Sequence, residues 1–241
     1  RSIIRFENWV LNNPKYIYTA TAIIVIVSLM GVLRLKSVGY IVDDLPKNDK
    51  LYVDLKFFEQ HFSGVMPLEI VVDTKRKQGV TRSIPNLTKI DSLVYYLEAR
   101  PEIGKALAVT EGLKFARQAY YDSDSNMYAI PNEFDLAFLA PYLRMKAESN
   151  SKNNNFVKLV ANFVDSTQQK ARISVNMADV GSDSLPKILA AVQQKAEELF
   201  NSDSIEYAAA LNSGKIAAAD VDSSKLERSA NIQLTGTSII F

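Results

Sequence analysis

The chain has 241 residues, 28 basic and 27 acidic side chains, and no cysteine. A formal net charge of +1 gives no strong field that would indicate a nucleic-acid-binding protein. The lack of cysteine excludes disulfides, thiolate metal sites and a cysteine nucleophile, and is in keeping with an extracytoplasmic bacterial domain.

Residues 1–14 are predicted to form an amphipathic helix that lies on the face of a membrane. Apolar side chains, Trp9 among them, are interspersed with polar ones, and Asn12-Asn13-Pro14 ends the helix. The alternative is a frayed end without structure. The clustering of the apolar residues favours the helix.

A transmembrane helix is predicted over residues 15–36, because the eighteen residues from Tyr16 to Leu33 are uncharged. As a helix they span about 27 Å, close to the thickness of a bilayer's hydrocarbon core. A buried core helix would be shorter and would keep a polar face, and a cleaved signal peptide would be followed by small residues. Because Arg34-Leu35-Lys36 follow instead, we expect an uncleaved anchor. Basic residues lie on both sides of the span, so charge does not decide its orientation.

One α+β domain is predicted over residues 37–241. Segments in which apolar and polar residues alternate, as in strands, follow segments in which apolar residues have helical spacing. The domain's fold class is a ferredoxin-like β-α-β domain with a helical insertion, preceded by the transmembrane helix. In chain order we predict a helix at 51–62, a strand at 68–73, a helix at 87–97, a strand at 103–109, helices at 111–121 and 133–147, a hairpin of strands at 157–163 and 172–177, a helix with Ser184 as its cap and Pro186 in its first turn, and a strand at 232–238. Residues 148–155 are predicted to form an exposed loop, and residues 207–228 are left unassigned.

No catalytic, cofactor-binding or metal-binding residue is predicted. His61 is the only histidine, so it has no partner for a metal site or a catalytic triad, and we assign it a structural role. Asp43 and Asp44 are a pair of carboxylates, but they lie in a turn-rich connector where such pairs are commonly solvated. The glycines are scattered and form no phosphate-binding loop.

Two tyrosine pairs and one basic run complete the candidates. In each pair, Tyr95-Tyr96 and Tyr120-Tyr121, we expect one ring to pack and the other to lie near solvent. An aromatic substrate surface is the alternative for these pairs. The run Lys75-Arg76-Lys77 follows a strand and predicts a solvated turn.

Several short motifs occur in the order known from one family of membrane exporters. They are the break at Asn13-Pro14, the single span, Asp43-Asp44-Leu45-Pro46, and the segments 57–64, 67–73 and 232–238. In this order and at this spacing, over nearly the whole chain, the sequence resembles RND-superfamily exporters of the MMPL or hydrophobe type. In that family the first span is followed by an extracytoplasmic porter domain, which leads into the second span.

The resemblance implies a proton-driven exporter of hydrophobic or lipid-like molecules in the bacterial inner (cytoplasmic) membrane. This chain would supply the first span and a substrate-guiding porter domain on the periplasmic or extracytoplasmic side. The run from Tyr16 to Leu33 within the span carries no Asp, Glu, His, Lys or Arg, so a proton relay belongs to later spans and none is assigned here. The implied partners are membrane lipid, the hydrophobic or lipid-like substrate and the remainder of the transporter, with a homo-oligomer allowed, no nucleic acid and no cofactor.

Two other functions stay open at this point. The chain could be a membrane-anchored extracytoplasmic sensor, or an accessory factor for secretion, since fold alone does not separate these from a transporter. An enzyme is not expected because the sequence shows no catalytic constellation. The sequence names neither the cargo nor the oligomeric state.

Overall fold

The computed structural model describes residues 14–35, 39–40, 45–62, 64–135, 162–213, 215 and 221–236. The chain divides into two compact units, Arg1–Val38 and Gly39–Phe241. The predicted interfacial helix before Pro14, the carboxylates Asp43 and Asp44, the loop at 148–155 and most of the predicted elements at 133–147 and 157–163 lie outside the described residues.

The first unit contains helix α1, Pro14–Arg34, which confirms the predicted long helix. None of its residues is buried within the structure. Within the described part of the chain, α1 is the one helix that is long and apolar enough to cross a membrane, a test that a signal sequence near the N-terminus also passes. Inside α1 the hydroxyl of Thr19 donates to the carbonyl oxygen of Lys15 at 2.8 Å, so this polar group is satisfied without water.

The second unit is an α+β domain built on a three-stranded antiparallel sheet. Its strands are β1 (Met66–Asp73), β2 (Lys170–Met177) and β3 (Asn231–Thr235), in the order β2-β1-β3. In the register Ile70 lies opposite Ile173 on one side and Leu234 on the other. Alternate residues point to opposite faces, so the apolar set of each strand is buried on a single face.

Residues 103–107 run along the outer edge of β2, and Ile103 and Leu107 form antiparallel bridges to it. The strand predicted at 103–109 is therefore wrong as a continuous element. The two bridges differ in register by one residue, because four steps from Ile103 to Leu107 lie opposite three steps of β2, which is a bulge. The amide of Ala106 points away from β2 and donates to the side chain of Glu98 at 3.1 Å. The following helix then begins at Val109.

The helices of the domain confirm most of the periodic segments. They are α2 (Lys50–His61), α3 (Ile84–Glu98), α4 (Val109–Tyr120), α5 (Gly181–Asn212) and α6 (Ser223–Leu226), with a 3-10 turn at Ser125–Met127. Helices α3 and α5 place their apolar residues against the buried face of the sheet, and together they form one hydrophobic core. Ser83 caps α3, with Pro85 in the first turn.

The predicted cap at Ser184 is wrong, because α5 begins three residues earlier, at Gly181. Gly181 adopts a φ of 73°, which a glycine tolerates without steric cost. The residue before the helix, Val180, makes no side-chain hydrogen bond to it, and the Asp179 carboxylate accepts from the Gly181 amide at 3.3 Å. Ser182 pairs with Gly39: its amide donates to the Gly39 carbonyl at 3.0 Å, and its hydroxyl accepts from the Gly39 amide at 3.1 Å. Pro186 consequently lies inside the helix and not in its first turn.

The unassigned region 207–228 is helical at both ends: α5 continues to Asn212, and Asp222 caps the short α6. Helix α5 bends at Asn201, whose backbone is non-helical. The Asn201 amide group donates to the Ala230 carbonyl at 3.0 Å and accepts from the Ala230 amide at 2.9 Å. This reciprocal pair holds the entry to β3 against the bend.

The predicted hairpin before β2 is confirmed at its turn. Val164 forms a bridge with Ala171, and the amide of Arg172 donates to the Phe163 carbonyl at 2.8 Å. Asp165 accepts hydrogen bonds from the amides of Gln169 and Lys170, both at 2.7 Å, which fixes the turn. Residues 157–161 of the first strand lie outside the described residues.

Candidate functional site

An exposed row of apolar side chains follows one side of α2, and we call it the α2 stripe. It consists of Leu51, Phe58 and Phe62, which are exposed, and Leu55, which is half-buried. Val53 and Phe57 are exposed as well and lie on the other side of the helix. Asp49 caps the helix by accepting from the Leu51 amide at 2.9 Å. No residue of α2 is buried, and Leu51, Phe58 and Phe62 are 61%, 49% and 57% exposed. The stripe is therefore a large apolar surface on the domain, of the kind that marks an interaction site.

His61 lies at the end of α2 and is exposed, with local contacts inside the helix. Its ring stacks on that of Phe57 with 4.1 Å between centroids, and its Nδ1 lies 2.9 Å from the Phe57 carbonyl oxygen. Phe57 also meets Phe58 edge to face.

A polar cluster joins α3, α4 and the 3-10 turn, and we call it the Lys114 cluster. Lys114 forms ion pairs with Asp91 of α3 and with Glu111, the latter at 3.0 Å. The Tyr128 hydroxyl donates to the second oxygen of Glu111 at 2.6 Å, and the Lys114 ammonium lies 5.8 Å from the Tyr128 ring. Each charge in this cluster has an opposite partner.

Burial and hydrogen bonding shift the pKa values of this cluster in opposite directions. Burial raises the pKa of Glu111, but hydrogen bonds from Tyr128 and Lys114 outweigh it and leave this pKa below its usual value. Burial, followed by the hydrogen bond to Glu111, raises the pKa of Tyr128 to about 12. At neutral pH the carboxylate is therefore ionised and the phenol keeps its proton.

A second cluster surrounds Asp135, which is 1% exposed, and we call it the Asp135 cluster. Asp135 forms an ion pair with Arg117 at 2.6 Å and accepts from the Tyr121 hydroxyl at 3.0 Å. Asn132 and Asp135 exchange hydrogen bonds between side chain and amide at 3.0 and 2.9 Å, which is a reciprocal cap on the helical turn at 133–135. This cap lies at the start of the helix predicted at 133–147.

Sequence reasoning missed both clusters. The spacing of Asn132 and Asp135 is that of a capping box, so it was a usable signal for the start of a helix. Nothing in the local pattern indicates that Arg117 and Tyr121 of the preceding helix would converge on the same carboxylate.

The tyrosine pairs give one confirmed and one wrong prediction. Tyr95 is 77% exposed, whereas Tyr96 packs against the core and lies under the Arg100 guanidinium. Tyr120 and Tyr121 are both exposed, at 58% and 37%. The Tyr121 hydroxyl donates to Asp135, and this hydrogen bond is the main cause that raises the Tyr121 pKa.

The basic turn Lys75-Arg76-Lys77 is exposed, as predicted. Lys75 has local partners: its ammonium donates to the Arg228 carbonyl at 2.9 Å and lies 3.8 Å from Glu227. The face of the sheet that points away from the hydrophobic core also carries charged side chains. On that face Glu69 of β1 and Arg172 of β2 form an ion pair at 3.3 Å.

The two polar clusters consist of paired charges and hydrogen bonds. In the described ranges, no group of three or more His, Cys, Asp and Glu side chains is placed to hold a metal ion. A comparison with models of known protein families gave no match, and a comparison with curated proteins gave none either. The feature that stands out is the uncovered apolar surface of α2, in a chain that also carries a helix able to cross a membrane.

Proposed function

We propose that this chain supplies the first span and a porter-like domain of a proton-driven exporter of the RND superfamily, of the MMPL or hydrophobe type. Its cargo is a hydrophobic or lipid-like molecule, and the domain guides that cargo on the extracytoplasmic side of a bacterial inner membrane. The observation that carries the proposal is the order in which the strands pair, in a domain that follows an apolar helix.

The strand pairing supports a ferredoxin-like domain. If residues 103–107 count as a short strand, the sheet order becomes 103–107, β2, β1, β3, with antiparallel neighbours throughout. Helix α3 connects β1 to 103–107, and α5 connects β2 to β3. Each connection passes over one intervening strand, which is the split β-α-β arrangement of ferredoxin-like folds. The segment between 107 and β2, with α4, occupies the position of an insertion.

The composition of the span supports a scaffold role in a larger machine. From Tyr16 to Leu33 it has no Asp, Glu, His, Lys or Arg, so proton-carrying residues belong to other spans. A hydrophobic cargo is in keeping with the exposed apolar side chains of α2 on the following domain. A membrane-anchored sensor or secretion accessory factor is the competing function, because the same fold serves many activities.

The open reading frame that contains this chain gives the first test. We expect roughly eleven further apolar spans, a second domain with the same strand-helix order and an acidic residue in a middle span, as in transporters built from repeats. A stop codon shortly after the codon for Phe241 would overturn the proposal and leave the sensor or accessory factor.

The activity itself is tested by deleting the gene in its own host and comparing the lipids inside the cell with those exported. We expect one hydrophobic species to accumulate inside and to fall outside. The intact gene should restore export, and so should a variant with Tyr95→Phe at an exposed position. Collapse of the proton gradient should stop export in the restored strain. Unchanged lipid distributions would contradict an export function.

A further inference from the structure

We propose that the outer edge of β3 pairs with β3 of a second copy of the chain, antiparallel to it and about a two-fold axis at Gln233. The partner is thus another molecule of this protein, and the contact joins two three-stranded sheets into one. The inference concerns the unit Gly39–Phe241 alone and is independent of the proposed export function.

The hydrogen bonds of the sheet show which groups of β3 face outward. On the outer side of β2, Ser174 exchanges both backbone hydrogen bonds with Leu107, at 2.8 and 2.9 Å. Successive residues of a strand in an antiparallel sheet bond to opposite neighbours. Carried through the register of β2, β1 and β3, this alternation turns residues 231, 233 and 235 toward β1. The amides and carbonyls of Ile232 and Leu234 therefore point away from the sheet.

Both ends of this outer edge are closed. At Ala230, just before β3, the side-chain amide of Asn201 already bonds to both the amide and the carbonyl. At the other end β3 stops at Thr235, and Gly236 adopts a φ of 119°, which takes the backbone out of the strand. The open, regular part of the edge lies between these two ends.

The backbone groups in this open part lack partners. Within the ranges that the structure describes, neither the amide nor the carbonyl of Leu234 has a hydrogen-bond partner, and nor does the Ile232 amide. The Gln193 amide lies 3.5 Å from the Ile232 carbonyl oxygen, which is at the limit of a hydrogen bond and is easily replaced. The Leu234 side chain packs against the core but is only half-buried, so a neighbour at this edge would also remove apolar surface from water.

A second copy of β3 matches this short row. With Gln233 opposite its own copy, Ile232 of each chain faces Leu234 of the other, and each such pair exchanges both backbone hydrogen bonds. Every outward group of the open edge then has a partner. A longer foreign strand would have to compete with Asn201 for Ala230.

The composition of β3 favours the same partner. Edge strands commonly avoid pairing with other chains through charged residues or proline, and β3 has neither. Identical side chains meet across a two-fold axis, so a charge there would face a like charge. Gln233 instead presents an amide group, which both donates and accepts hydrogen bonds and so matches its own copy.

The cysteine-free sequence allows the register to be read from disulfides in the whole chain, solubilised in detergent. Single cysteines replace exposed residues of β3 in Gln233→Cys, Asn231→Cys and Thr235→Cys. In the proposed pairing, position 233 faces itself and position 231 faces position 235 of the other copy, with Cα atoms about 4.5 Å apart, which a disulfide can bridge. Asn176→Cys is the control for chance collisions, because it is exposed on the same face of the sheet but lies on β2.

On mild oxidation we expect the Gln233→Cys chain to form a covalent dimer severalfold faster than the other three variants do alone. A mixture of the Asn231→Cys and Thr235→Cys chains should form a mixed dimer as readily. Equal rates at all four positions would show random collision, and self-linking at each of 231, 233 and 235 would show parallel strands. A disulfide at 233 without the mixed dimer would show a two-fold contact that is not strand pairing. Each of these results, and equally the lack of any disulfide, overturns the inference.

Charge at the two-fold axis gives a second test that needs no oxidation. Gln233→Lys and Gln233→Glu each place like charges opposite one another, so each variant should be monomeric at concentrations where the parent chain is a dimer. Mixing the two variants should restore the dimer, because opposite charges then meet. Asn176→Lys should behave as the parent chain does. Light scattering measures the mass, and a parent chain that stays monomeric, or a dimer that survives in Gln233→Lys, would contradict the pairing.

Discussion

Helices α2 and α3 carry similar apolar rows, and only one of these rows is covered. The five apolar residues of the α3 row that faces the core, which are Leu87, Ile90, Leu93, Val94 and Leu97, are buried. No residue of α2 is buried. Periodicity thus predicts both helices equally well, because it reports a face that needs a partner. It does not tell whether that partner is the same domain, a membrane or another chain.

Replacing one leucine by alanine on each of the two helices tests this difference between α2 and α3 most directly. Leu93→Ala should lower the free energy of unfolding of the domain by about 2–5 kcal/mol, since a fully buried leucine leaves a cavity. Leu51→Ala on α2 should change it by less than about 0.5 kcal/mol. Urea unfolding of the detergent-solubilised chain, followed by circular dichroism, measures both. Equal losses would show that α2 is part of the core.

Buried and exposed ion pairs should differ in the same way in how much they stabilise the domain. Asp135→Ala should destabilise the domain by about 3 kcal/mol, because it leaves the Arg117 charge without its buried partner. The control is Asp183→Ala on α5, where an exposed pair with Lys187 contributes at most about 0.5 kcal/mol. Hydrogen exchange of α4 amides should rise in the first variant only. Unchanged protection there would mean that the Asp135 cluster does not hold α4.

Loss of the buried side-chain amide of Asn201 should lower the stability of the domain by a smaller amount. Asn201→Ala should cost about 1–3 kcal/mol, because both backbone groups of Ala230 lose their partner inside the core. Ser202→Ala, at the exposed neighbouring position, should be nearly neutral. Faster exchange of β3 amides in the Asn201 variant alone would locate the loss. Equal behaviour of the two variants would contradict the proposed link between the bend in α5 and β3.

The smallest effect concerns pH. The Tyr128 pKa is raised from 10.0 to about 12 in the folded protein. Its contribution to stability is therefore complete below about pH 10 and is lost as the pH rises through the folded-state pKa. Tyr128→Phe should remove this part of the alkaline loss of stability. In a phenolate absorbance titration, Glu111→Gln should bring the Tyr128 pKa down, and an unchanged Tyr128 pKa would show that Glu111 does not stabilise the neutral phenol.

The regular elements were largely predictable, and their ends and contacts were not. Strand β1 and helix α3 follow from alternation and from apolar spacing, which act within a few residues. The first turn of α5 exchanges hydrogen bonds with the distant Gly39, and the pairing of 103–107 with β2 shifts register by one residue. Neither feature can be read from the local apolar pattern. The Lys114 and Asp135 clusters were missed for the same reason. The exporter function remains a proposal from motif order and strand pairing.

The central claim is that α1 is a retained span and that the domain after it lies outside the cytoplasm. Tyr95→Cys introduces a single thiol at a position that is 77% exposed on that domain. In intact spheroplasts that express the chain, a membrane-impermeant maleimide should label this thiol fully before permeabilisation, on protein that sediments with the membranes. Labelling only after permeabilisation, or labelled protein released into the soluble fraction, would contradict the claim.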